Sequence, residues 1–199
     1  MAAPGATWRA YRGPAACCAC VLVLAASARA ADAPSPVVVK DPKDAGQGAP
    51  DVTRAQLGLT SDGRLRAAVT LSVGWVARNL LAPHGPPGSV CLRLWTATKP
   101  GAAPPDYLAC ATAHQDGETM RGTVFKTQPG QALQHVADAT VGRTSDRTMT
   151  LRFSQTVIGR PKTIRFAAEA TKPGCARVSC VDTAPDAPKT ATFRLRGSS

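Results

Sequence analysis

Aspartates are the residues whose spacing raises the first chemical question. The stretch "DPKDAGQGAPDV" (41–52) carries Asp41, Asp44 and Asp51, and Asp182 and Asp186 recur near the end of the chain. Carboxylates at this density suit a hard cation such as calcium, which takes six to eight oxygen ligands. The spacing is not that of an EF-hand loop, which needs oxygens at alternate positions and a glycine at the sixth. If the first and last strands are neighbours, Asp41, Asp44, Asp182 and Asp186 form a candidate calcium set that ties the two ends of the domain together. The competing expectation is that they cap turns and accept backbone hydrogen bonds.

Catalytic constellations are sparse. The sequence has no G-x-S-x-G, no H-E-x-x-H and no phosphate loop. Only two glutamates are present, Glu118 and Glu169, and His84, His114 and His135 all fall in or beside loops. The chain is therefore expected to be non-catalytic and to need no cofactor, calcium being the one candidate. Ring-stacking groups for a sugar are few. Trp95 and Arg93 share one side of the strand "SVCLRLWTA" (89–97), opposite Leu92 and Leu94. With Tyr107 from the next strand they form a candidate ligand patch. Arg66, Arg152, Arg165 and Arg194 occupy outward strand positions and form a candidate basic stripe.

The chain opens on a leader. Arg9 and Arg12 precede the apolar run "AACCACVLVLAASA" (15–28), and "ARA" (28–30) has the form read by a signal peptidase. Cleavage is expected after Ala30. The apolar run falls short of the ~20 residues that span a bilayer, and no other stretch reaches it, so the protein is expected not to span a membrane. Its destination is read as secreted or cell-envelope.

The leader holds three arginines and no acid, which leaves 21 basic and 13 acidic side chains, a net charge of +8. An exported basic protein is able to meet acidic envelope polymers; the competing reading is that a chain rich in Ala, Arg, Gly and Pro, with a single Asn, owes its charge to compositional bias. Nucleic acid is not expected as a partner, aromatic–basic interleaving being missing. Four cysteines lie beyond the leader: Cys91, Cys110, Cys175 and Cys180. An even count in an exported chain reads as two disulfides. Of the three pairings, Cys91–Cys110 between successive strands and Cys175–Cys180 around "CARVSC" are favoured.

The elements that hold these residues are strands. Residues 31–50 are rich in Pro and Gly and read as an N-terminal arm. From Asp51 the period is 2: Leu65, Ala67, Val69, Leu71, Val73 and Trp75 alternate with Arg64, Arg66 and Thr70. The same alternation recurs over 89–97, 106–113, 119–127, 134–142, 147–155, 162–170 and 189–196. The segment 74–82 has helical spacing over too short a length. Eight or nine short strands between Gly/Pro turns predict a single antiparallel β-sandwich, jelly-roll or immunoglobulin-like, over 51–199.

Four segments in order carry a family likeness: "DPKDAGQGAPDVTRAQLGLTSDGRLRAAVTL", "PDYLACAT", "VADATVGRTSDRTMTLRFSQTVIG" and "DTAPDAPKTATFRL". This arrangement resembles the exported β-sandwich modules of the DOMON-like and family 9 carbohydrate-binding-module-like group. The resemblance spans nearly all of 41–196. It departs after the third strand, where "TATKPGAAPP" replaces the acidic turn of many members. The resemblance implies a secreted or envelope binding module with a polysaccharide ligand. The alternative is a structural or adhesion domain that contacts another protein.

Overall fold

A computed structural model describes residues 34–45, 50–97, 104–175 and 180–195. The expected leader and its expected cleavage after Ala30 lie outside these residues.

Hydrophobic alternation builds the sheet. In β3 (Leu65–Leu71), Leu65, Ala67, Val69 and Leu71 are buried while Arg66 is exposed. In β8 (Thr148–Phe153), Met149, Leu151 and Phe153 are fully buried. These two strands pair antiparallel, with Leu65 opposite Phe153 and Val69 opposite Met149. The period of 2 thus delivers the large apolar side chains of these two strands to one face. The remaining strands are β1 (Val37–Lys40), β2 (Val52–Leu59), β4 (Ser89–Trp95), β5 (Tyr107–Ala113), β6 (Met120–Lys126), β7 (Gln134–Arg143), β9 (Thr163–Thr171), β10 (Val181–Ala184) and β11 (Ala191–Arg194).

All described pairings are antiparallel, in the order β1-β2-β3-β8-β7-β6-β5-β4-β9-β10, with β11 also on β9. The fold class is all-β as expected, but the architecture is a single eleven-stranded sheet curled almost into a barrel, not a clear two-sheet sandwich. The reason lies in β7. Its first half pairs with β6 (Gly122 opposite Ala139), and its second half pairs with β8 (Val141 opposite Leu151). One strand therefore serves both halves of the sheet, changing neighbours between Ala139 and Thr140.

Two strands exceed the expected count. Val37–Lys40, inside the stretch read as an arm, pairs with β2, and β10 pairs with β9. Both are four residues long, too short for alternation to stand out between prolines. The alternation read through Trp75 stops early: β3 ends at Leu71, so Val73 is 61 % exposed. Trp75 is still buried, donating its Nε1–H to the Arg147 carbonyl at 3.1 Å. The helical spacing of 74–82 appears as a single 3-10 turn, Ala77–Leu80.

Two long-range pairings interlock. β3 pairs with β8 and β4 pairs with β9, so each ladder encloses one strand of the other in sequence order. The core runs through both, with Leu92, Leu94, Leu151, Phe153, Phe166 and Phe193 among its largest members.

The disulfides are Cys91–Cys110 and Cys175–Cys180. Cys91 and Cys110 face each other across the β4–β5 ladder. Both bonds fit an oxidising compartment. Among the described residues, no helix is long and apolar enough to cross a membrane.

Candidate functional site

The outward residues of β1, β2, β3 and β8 make a basic face. None of these four strands contains an acidic residue. Lys40 stands opposite Arg54, and Arg66 stands opposite Arg152. Like charges in directly opposite positions destabilise a sheet, yet the fold places two such pairs on one face. The Arg66–Arg152 rung ends on Thr140 of β7. The next rung is Ala68, Thr150 and Gly142, all small. Long side chains beside short ones leave an open depression of about 590 Å³, lined among others by Ser61, Arg66, Thr140, Gly142, Thr150 and Arg152. A Cβ on Gly142 would lie 3.0 Å from the Thr150 Oγ1, so glycine keeps that rung low.

One Nη of Arg152 reaches the Asp62 carboxylate at 3.3 Å. The Nε atoms of Arg64 and Arg152 are buried without an acceptor. The basic stripe expected from sequence is divided: Arg66 and Arg152 lie on this face, whereas Arg165 and Arg194 lie on β9 and β11.

The aspartates gather where β1, β2 and β10 meet. Carboxylate oxygens of Asp41, Asp44 and Asp186 all lie within 4.8 Å of one another. Burial first, then the charges of Asp186 and Asp44, push the Asp41 carboxyl up to about 6. Asp182, the fourth member of the expected set, instead accepts the Val52 N–H at 2.6 Å and is 8 % exposed. Burial raises its carboxyl above the usual range, against the pull of that hydrogen bond. Asp51 joins the cluster by accepting the N–H groups of Asp44 and Ala45, both at 3.2 Å. So the set divides into three carboxylates able to share a cation and two that order backbone.

Arg93, Trp95 and Tyr107 do not form one patch. Leu92 and Leu94 face the core, so Arg93 and Trp95 point to the outer side, as expected. Trp95 is only 6 % exposed, with Arg93 at 5.3 Å and Arg165 at 5.9 Å from its ring centre. Cation–π contact of this kind occupies the ring instead of leaving it for a sugar. Tyr107 stands opposite Leu94 and packs against the core, on the other side of the sheet. Arg93 pairs with Glu169 at 3.6 Å. Burial nevertheless holds the Glu169 carboxyl above its ordinary range, with Arg93 opposing.

No protein-family model, no curated protein and no solved structure matches the chain. The residues that sequence reasoning missed are Thr140, Gly142, Thr150 and Lys40. Their outward positions follow from alternation, but their meeting with Arg66 and Arg54 depends on strand order.

Proposed function

We propose that this chain is an exported, non-catalytic binding module for an anionic polysaccharide or related polyanion of the cell envelope. The observation that supports it most is the face of β1, β2, β3 and β8, whose strands carry two directly opposed basic pairs and no acidic residue, Asp62 of the β2–β3 turn reaching only Arg152 of the four. A polyanion lying across it relieves the repulsion of Lys40 with Arg54 and of Arg66 with Arg152. The two disulfides support work outside the cytoplasm. The carboxylates at the seam offer an all-oxygen donor set for a calcium ion that would strengthen the module without taking part in recognition.

The test is co-sedimentation with dextran sulfate and with neutral dextran. Retention on the sulfated polymer alone, fading as salt rises, is the expected result, because exposed charge pairs are screened. Equal retention on both, or none on either, rejects the proposal.

A second reading, a domain that contacts another protein, draws on one observation. Val73, 61 % exposed, lines a hollow of about 380 Å³ with Leu71, Trp75, Leu80 and Pro173, and Val76, 54 % exposed, follows in the same segment. Exposed apolar groups clustered this way suit a protein contact. Val73→Asp would abolish that contact and leave polyanion binding intact.

A further inference from the structure

We infer that the depression between β3, β8 and β7 is a site for a tetrahedral oxyanion, a phosphate or sulfate ester group borne on a polymer. The inference rests on the polyanion reading for the source of its ligand, and on its own geometry for the chemistry. Arg66 and Arg152 project from directly opposite positions on two central strands, so their Cα atoms are fixed by the ladder. Thr140 continues that rung, and Ala68, Thr150 and Gly142 form the low rung beside it. Thr60 and Ser61, from the turn after β2, close one side. An anion resting on the low rung would have guanidinium groups and hydroxyls within side-chain reach.

Charge favours occupation. Asp62 engages one Nη of Arg152. Among the described residues, Arg66 is exposed and has neither a hydrogen bond nor an ion pair from its side chain. The donors exceed the local acceptors, and an oxyanion supplies what is missing. The class of anion follows from direction. One guanidinium fork satisfies the two coplanar oxygens of a carboxylate. Here donors come from β3, from β8 and from the hydroxyl-bearing rim, which suits oxygens pointing several ways.

The depth of the site separates it from simple charge density. Ala68→Leu fills the low rung and leaves every charge in place. Arg54→Gln removes a charge from the same face outside the depression.

The test uses the exported protein with both disulfides intact. Its probes are inorganic sulfate, dextran sulfate and polygalacturonate. Affinity is followed by calorimetry and the backbone amide signals of Gly142 and Thr150 by NMR. Unchanged thermal melts confirm that each variant is folded. Arg66→Gln, Arg152→Gln and Ala68→Leu should each weaken dextran sulfate binding by about tenfold, the scale of losing one charge-assisted hydrogen bond. Arg54→Gln should cost less than about threefold, a screened surface charge. If dextran sulfate binds but Ala68→Leu has no effect and all three arginine variants lose equally, the site is overturned while the polyanion reading stands. If inorganic sulfate shifts the two amides but no polymer binds, the oxyanion site stands and the polymer reading falls. Absence of both effects rejects both. Polygalacturonate binding as tightly as dextran sulfate overturns the tetrahedral class.

Discussion

The N–H of Val52, at the start of β2, donates to the carboxylate of Asp182 on β10 at 2.6 Å, across 130 positions of sequence. It joins β2, next to the marginal strand β1, to β10 at the other margin of the curled sheet, where no backbone ladder between β2 and β10 is formed among the described residues. Asp182→Ala leaves that buried N–H without an acceptor and should cost about 1–3 kcal/mol. Asp182→Asn keeps an acceptor and removes a carboxylate that burial disfavours, so its loss should be much smaller at neutral pH. Urea melts of the two variants check this, and equal losses would show that the charge, not the acceptor, holds the seam.

Stability should rise on mild acidification. Burial and the neighbouring carboxylates push the Asp41 carboxyl up to about 6 from its ordinary 3.8, so the fold holds that proton more tightly than the unfolded chain does. Its contribution is full below 3.8 and is lost as pH rises through about 6. Asp182 and Glu169 are raised as well and act in the same direction. Asp62 and Asp116 are lowered, so their contributions disappear only as pH falls below the ordinary carboxylate range. The melting temperature should therefore be higher at about pH 5 than at about pH 7, and Asp41→Asn should shrink the difference. A profile identical in wild type and Asp41→Asn would remove Asp41 as the cause.

Calcium should oppose this pH effect. The oxygens of Asp41, Asp44 and Asp186 lie close enough to share one ion, and a ligand of the folded state stabilises it by about 2.7 kcal/mol at a hundredfold excess over Kd. Melts in calcium and in chelator should differ at about pH 7 and converge as protons compete at about pH 5. Asp44→Asn and Asp186→Asn should each reduce the calcium gain. Identical melts at neutral pH would leave these carboxylates as turn and loop residues.

Much of the sheet was legible because alternation is a local signal. Leu65 to Leu71, Met149 to Phe153 and Ile164 to Ala168 all face the core in the phase that the sequence gives. Cys91 and Cys110 pair as expected, being in successive strands. What escaped depends on register and strand order. Tyr107 was grouped with Trp95, but it stands opposite Leu94, and an offset of one residue moves a side chain to the other face. Lys40 could not be set against Arg54 without β1, whose four residues lie between prolines. Arg66 and Arg152 were each legible as outward, but their meeting across one rung was not, since 86 residues separate strands that share no turn.

The interlocked ladders bear on the order of events during folding. β3 cannot find β8, nor β4 find β9, until most of the chain is available. Ladders that close long loops form slowly, because loop entropy is lost before the contacts compensate. A chain emerging from its N-terminus during synthesis presents β1 to β7 before the partners of β3 and β4 exist. Such a topology delays closure of the curled sheet, so the two ends of the domain lock together only after β8 and β9 have joined β3 and β4.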